Sequence, residues 1–506
     1  MNSRASVFRF AASTLALIAG APAHAQDLDI GVIVITPDRA PIPKKRSGSK
    51  VETVSRDEIA AQGKPGLVET LDLLPGIHVA SPGGSGQEAS LSVRGADKKY
   101  VKTLWNGIDI ADPSSTQVQV GFQHLGTFGI GGLEVLKGSQ GAHYGSEAVA
   151  GVIALDTLGG IESGLHHEIA IEGGSRGTVT GGYRATHADD NGRASLFASG
   201  LSTNGFSAAL ANGAAPLDDN PGALEPDFYR NGSAGFAFDR AVNDRLSVFG
   251  AGLFIAAAGA FDDSGNPPTD NAFNDGASRQ LAGRLGFTAK SPDGRMRNTF
   301  AAQAYDIDRD LHLVSAFGPY DANYKGRRLK ADYLGAFDLS DRLNLQWGAD
   351  YEWQGADSTD SFFTVTSDSA ATAGVFAQAI FTPIEGLTLD ASLRHDIHSA
   401  YGGHTTWRAS ATWALSGGTR LHGSAGTGYR APSLYELYAP FGTGNAALQP
   451  ETSFSADVGI EQTALDGRLV VDVTAFMLNT ANLIDYDFAT FSYQQVPGVT
   501  RRAGVE

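Results

Sequence analysis

Cysteine is missing altogether from the 506 residues, which excludes a disulfide framework and any thiolate metal centre. Long apolar runs are nearly as scarce. One stretch, from about Phe10 to Gly20, follows Arg4 and Arg9 and precedes Ala23-His24-Ala25. It has the pattern of a secretory signal peptide cleaved after Ala25 and is too short to span a bilayer. No later segment reads as a transmembrane helix, so an exported chain is expected either in the periplasm or in the membrane as a closed barrel. Basic residues are also short: 38 Lys and Arg stand against 55 Asp and Glu, for a net charge of -17. That balance argues against nucleic acid as a partner, which needs a basic patch to displace counterions. Lysine thins out along the chain: Lys44, Lys45, Lys50, Lys64, Lys98, Lys99, Lys102 and Lys137 precede residue 138, and only Lys290, Lys325 and Lys330 follow.

What is present divides at residues 157 to 162. Before that boundary, Ser55 to Ile59 and Leu67 to Leu74 have helical spacing, the second stopped by Pro75-Gly76, and short strands such as Leu91 to Arg94 and Leu133 to Leu136 alternate with them. After it come long segments of period two. Leu343, Leu345, Trp347, Ala349 and Tyr351 make one face, and Asn344, Gln346, Gly348, Asp350 and Glu352 the other. The split recurs around Trp407 to Trp413 and Leu469 to Met477. Tight turns alternate with long polar loops such as 208–231 and 258–278, which favours an outer-membrane barrel over a soluble sandwich. Trp347, Trp353, Trp407 and Trp413 fall near strand ends, where indole rings mark a membrane interface. The expected organisation is a signal peptide at 1–25, an arm and linker at 26–50, an α+β domain at 51–158 and an antiparallel transmembrane β-barrel at 159–506.

Several motifs occur in order: Leu71-Asp72-Leu73-Leu74-Pro75-Gly76-Ile77, Leu91-Ser92-Val93-Arg94-Gly95, Trp105-Asn106-Gly107-Ile108, and Leu133 to Gln140 followed by Tyr144-Gly145-Ser146 and Gly151-Val152-Ile153. Together they resemble the plug of TonB-dependent outer-membrane transporters, with Asn106 departing from the usual aspartate. Gly428 to Leu437 resembles the family's Arg-Ala-Pro strand and loop, and Asn445 to Glu451 the Asn-Pro-x-Leu-x-Pro-Glu after it, without the first proline. No histidine lies between those two motifs, which argues against a haem ligand there. The resemblance implies energised uptake with no covalent step, hence no enzyme. It also implies an outer-membrane location with lipid around the barrel, and a periplasmic TonB-type energiser as partner. That energiser would take Ile30, Val32, Ile33, Val34, Ile35 and Thr36 as an added strand, since the run is extended, β-prone and ahead of a Pro-rich linker. Arg94, Glu134 and Lys137 are expected to pair with barrel charges across the lumen.

Asp112 to Gln117 and Leu483 to Asp487 resemble the cobalamin-transporter branch, which makes a corrinoid the expected ligand and a ferric siderophore the alternative. Ser114, Ser115, Thr116 and Gln117, with Tyr229, are the expected substrate contacts. A non-transporting adhesin or phage or colicin receptor is the reading from another class. Two loops are acidic: Asp218, Asp219, Glu225 and Asp227 in one, Asp262, Asp263, Asp270 and Asp275 in the next. Hard oxygen ligands there suit Ca²⁺ linking the loops, as the cobalamin branch implies, although no compact calcium motif is present. A monomer is expected. At roughly 20 residues per strand and connection, 159–506 holds about 16 to 18 strands against 22 in plugged transporters. The expectation is therefore a barrel short of four to six strands, with two open edges.

Overall fold

The computed structural model describes residues 33–34, 42–209, 225–263, 270–315, 318–362, 365–440 and 442–506. The signal-peptide residues, Ile30, Val32, Ile35, Thr36, Asp218 and Asp219 lie outside these. In the N-terminal part, β1 (Ile33–Val34) pairs antiparallel with β2 (Ile42–Pro43) as a sheet of its own. A five-stranded sheet then combines β3 (Val51–Ser55), β7 (Val101–Trp105), β8 (Ile108–Asp109), β9 (Gly132–Lys137) and β10 (Gly151–Asp156) in the order β3-β9-β10-β7-β8. A smaller sheet holds β4 (Ile77–Ala80), β5 (Ser90–Val93) and β6 (Ala96–Asp97).

Helix α1 (Arg56–Gln62) starts where Ser55 and Glu58 form a reciprocal capping box and stops at Gly63, whose φ of 62° suits a residue without Cβ. Helix α2 (Leu67–Leu71) buries Leu67 and Leu71, and α3 (Gly141–Tyr144) is a single turn. Asn106, at φ 46°, and Gly107, at φ 80°, turn β7 into β8. Both sit in the left-handed region that two-residue hairpins need, and asparagine tolerates it as aspartate does.

The C-terminal part is one antiparallel sheet of 16 strands. It begins with β11 (Gly164–Gly173), β12 (Val179–Asp189), β13 (Gly192–Thr203), β14 (Tyr229–Asn243), β15 (Leu246–Ala260) and β16 (Asp275–Lys290). It continues through β17 (Met296–Ser315), β18 (Gly318–Ser340), β19 (Leu343–Asp360), β20 (Val365–Ile384), β21 (Leu387–His398) and β22 (Gly402–Ala414). After β23 (Thr419–Arg430), the short helix α4 (Leu434–Tyr438) leads to β24 (Glu451–Ala464) and β25 (Leu469–Ala481). A separate hairpin, β26 (Ile484–Asp487) with β27 (Ser492–Gln495), precedes β28 (Val499–Val505), which pairs with β25. Among the described residues β11 and β28 are each paired on one side only.

The two faces of the wall are inverted relative to a soluble protein. In β21, Asp390, Arg394 and Asp396 are buried while Leu389, Leu393 and Ile397 are exposed. Likewise Gln346, Asp350 and Glu352 of β19 point inward and Tyr351 outward. Apolar side chains out and polar side chains in is the arrangement of a barrel solvated by lipid outside and filled by a polar lumen. The N-terminal domain occupies that lumen. Its core of Leu67, Trp105, Ile108 and Ile153 runs on into Phe197, Ala237, Ala251, Leu253 and Ile255 of the wall.

Candidate functional site

The tip of the N-terminal domain is the turn from Asp112 to Gln119. Asp112 Oδ1 accepts hydrogen bonds from the backbone N–H and the hydroxyl of Ser114, both at 2.7 Å. The Ser115 hydroxyl donates to Asp112 O at 2.8 Å and accepts from the Gln119 N–H. Ser114 and Ser115 are buried and hold the turn, so of the four residues expected to touch ligand, Thr116 is exposed and Gln117 half-buried. The turn is fixed from outside by Arg309 of β17, whose Nε lies 2.8 Å from Asp112, and by the Ser433 hydroxyl, which donates to Thr116 O at 2.8 Å.

Ser433 also caps α4 in a box with Glu436. Glu436 and Glu451 both receive the fully buried guanidinium of Arg430, at 2.9 Å for the shortest contact to each. This explains the Arg-Ala-Pro segment in physical terms: a buried bidentate cation ties the end of β23 to α4 and to the start of β24. A wall of tyrosines, Tyr401, Tyr435, Tyr486 and Tyr493, packs around Leu437, Leu448 and Ile484 beside it. Tyr229 belongs elsewhere. It sits at the head of β14, with its hydroxyl 3.0 Å from His124 Nδ1, against a different part of the plug from Ser114 to Gln117.

Ion pairs join the two domains. Arg94 meets Glu506 at 2.6 Å and Asp457 at 3.9 Å, and Lys137 meets Glu506 at 2.9 Å. Lys50 lies 3.1 Å from Asp472 of β25. Glu134 is in β9, opposite Ala154 and Thr53 of the plug sheet. The deepest group was not anticipated from sequence: Asp109 contacts Lys102 at 2.7 Å and Arg328 of β18 at 2.8 Å, and Arg328 continues to Glu352. Burial alone would raise the Asp109 pKa, but Arg328 and Lys102 outweigh it and hold the carboxyl well below the usual range. Nothing in Ile108-Asp109-Ile110 distinguishes this aspartate, because its partner lies 219 residues away.

Of the acidic loop residues, Glu225, Asp262 and Asp270 bring carboxylate oxygens within 4.8 Å of one another. Burial, then Asp270 and Asp262, push Glu225 up to about 8, and burial with Asp262 pushes Asp227 up to about 7. Asp227 and Asp270 are almost fully buried, each with one carboxylate oxygen lacking a hydrogen bond among the described residues. Oxygen donors so placed fit a hard divalent cation. Asp263 instead accepts from Asn274 at 2.7 Å, and Asp275 is exposed at the start of β16.

The comparisons with known proteins agree with this geometry. The model of the TonB-dependent receptor plug domain matches residues 43–152, and that of the TonB-dependent receptor-like β-barrel matches 171–506. A vitamin B12 transporter, BtuB, of Photobacterium profundum is 26% identical over 433 residues, covering 85% of this chain and 67% of the relative. The protein of the same name from Vibrio vulnificus is 26% identical over 469 residues, covering 92% and 72%. Among solved structures, the ferric enterobactin receptor PfeA of Pseudomonas aeruginosa aligns with a TM-score of 0.74 at 16% identity, covering 91% of this chain and 78% of that one. The copper transporter OprC aligns at 0.74 and 15%, covering 91% and 76%. With a plug locked inside a wall of inverted polarity, and both parts matched by family models, the chain belongs to the TonB-dependent receptors, outer-membrane transporters energised by TonB and not enzymes.

Proposed function

We propose that this receptor takes up a corrinoid such as cobalamin, with a ferric siderophore as the alternative ligand. The observation that carries the reading is the 26% identity to two vitamin B12 transporters along most of the chain. The structural neighbours carry other cargoes, and at their low identity they speak for the fold alone. The plug tip suits a large uncharged ligand rich in amides: Thr116 is exposed and Gln117 half-buried there, Ser433 at the head of α4 bonds Thr116 O, and tyrosines of α4 and the β26–β27 hairpin cluster around Leu437.

The Ile30–Thr36 arm, of which Ile33 and Val34 form a two-residue strand, is the segment the energiser would pair with. Export follows cleavage after Ala25, and the working unit is a monomer surrounded by outer-membrane lipid. Ca²⁺ held by Glu225, Asp262 and Asp270, with Asp227 beside them, orders the two acidic loops. Uptake of radiolabelled cyanocobalamin into cells lacking their own transporter tests this reading. Uptake that disappears on deletion of residues 30–36 supports it, and rescue by a ferric siderophore alone would overturn it.

A further inference from the structure

Between the plug and strands β12 to β14 lies a cavity of about 480 Å³. The plug side supplies Glu69, Asp72, the Ser81–Ala89 loop and His124, and the wall supplies Thr180, Ser199, Phe206, Tyr229 and Asn231. No lysine or arginine lines it among the described residues, in contrast to the cavity on the far side of the lumen, where Lys102, Lys330 and Arg394 meet Glu147, Asp350, Glu352 and Asp396.

The hydrogen bonds around His124 engage one of its two ring nitrogens. Ser233 donates to Asn231 Oδ1 at 2.9 Å, which turns the Asn231 amide nitrogen toward the Tyr229 hydroxyl at 3.0 Å and the His124 carbonyl at 3.1 Å. The Tyr229 hydroxyl donates its single proton to the Gln123 carbonyl at 3.2 Å. With that proton directed to the carbonyl and not to the imidazole, His124 Nδ1, 3.0 Å from the hydroxyl, is the donor of the remaining bond. Nε2 is left with a lone pair and no hydrogen-bond partner among the described residues, on a ring stacked against Tyr229 at 13° between planes. Burial lowers the His124 pKa to about 4, so the imidazole is neutral at physiological pH.

We propose that this cavity is a lumenal binding station for a ligand, or a portion of one, that carries no negative charge and offers hydrogen-bond donors, with His124 Nε2 as the acceptor. The acids Glu69 and Asp72 repel anions, and the Ser, Thr, Gln and Asn side chains supply donors and acceptors around the imidazole. Its position between plug and wall, against a different part of the plug from Ser114 to Gln117, makes it a second stop apart from the plug tip.

Two measurements on the full chain test this. The first needs no knowledge of the ligand, because a chain without cysteine accepts a single reporter thiol. Ser199→Cys is treated with cationic trimethylammonium-ethyl and anionic sulfonato-ethyl methanethiosulfonates, with Ala370→Cys in the opposite cavity as reference. The proposal expects the ratio of cation to anion rates to be about tenfold higher at Ser199→Cys; equal ratios would overturn it.

The second rests on the corrinoid reading. His124→Phe keeps a ring against Tyr229 but removes the acceptor, and should cut cyanocobalamin uptake about tenfold with surface binding unchanged. Unchanged uptake, or loss of surface binding together with uptake, would count against the station. If the unaltered chain does not bind cyanocobalamin, the corrinoid reading fails and the thiol rates alone decide this one.

Discussion

Along β17, β18, β24, β25 and β28 the plug is held to the wall by buried charge, with Asp112, Asp109, Arg94, Lys50 and Lys137 each within 4 Å of an opposite charge on the barrel side. Along β13 to β15 it is held by apolar contact with Phe197, Leu253 and Ile255, by uncharged hydrogen bonds from Tyr229 and Asn231, and, among the described residues, by a single charged donor, Arg193, whose Nη1 bonds Leu158 O at 3.1 Å. The difference matters for a domain that has to stay shut and yet be displaced. Breaking a buried pair strands a charge, whereas apolar contacts and neutral hydrogen bonds give way in small steps. The contrast predicts that the charged side stays anchored, as a hinge would, and that the plug gives way first along the neutral side, where the cavity lies.

The largest effect is expected from Asp109→Ala, which leaves Lys102 and Arg328 buried without their shared anion. A loss of about 3 to 5 kcal/mol is expected, read as earlier urea unfolding of β7 and β10 by hydrogen exchange. A midpoint equal to that of the unaltered chain would remove the hinge. Arg94→Ala is milder, because Glu506 keeps Lys137. A cost of about 1 to 3 kcal/mol is expected by the same measurement.

On the neutral side, Tyr229→Phe deletes one hydroxyl and should cost only about 1 kcal/mol. A loss as large as that of Asp109→Ala would erase the contrast. The smallest effect is local, in the acidic loops. Glu225 and Asp227 are protonated in the folded protein up to about pH 8 and 7, whereas unfolded carboxyls lose their protons near pH 4. Without a divalent cation the loops therefore lose stability as pH rises from about 4 to 8, since the folded state binds more protons in that window. Protease cleavage within the loops 208–231 and 258–278 should increase over that range, and millimolar Ca²⁺ should suppress it. Cleavage independent of both would leave the cluster without a cation role.

The barrel was legible because a strand in lipid writes its two faces into the sequence: Leu389, Leu393 and Ile397 cannot share a face with Asp390, Arg394 and Asp396. The 16 strands fall within the range that segment spacing gives. The plug helices followed from local spacing at Ser55 to Ile59 and Leu67 to Leu74, although the second ends at Leu71, ahead of the expected stop at Pro75. Pairings across the lumen were not legible, since Asp109 and Arg328 carry no mark of each other. The part Ser114 and Ser115 play in the turn was hidden for a related reason: spacing alone does not show that Asp112 accepts from the Ser114 hydroxyl or that the backbone turn engages Ser115. The capping box of Ser433 and Glu436 was readable in spacing, but the buried Arg430 that gives it a purpose was not.

The most direct test is a pair of reversible staples in the cysteine-free chain. Gly83→Cys with Ala208→Cys closes the neutral side, where a Cβ on Gly83 would stand 3.0 Å from that of Ala208. Ser139→Cys with Ser455→Cys closes the charged side, where the Ser139 N–H already bonds the Ser455 hydroxyl at 2.8 Å. Energised cyanocobalamin uptake is then compared before and after reduction. The account predicts that the first staple blocks uptake until reduced while the second leaves it intact; the opposite pattern would contradict it.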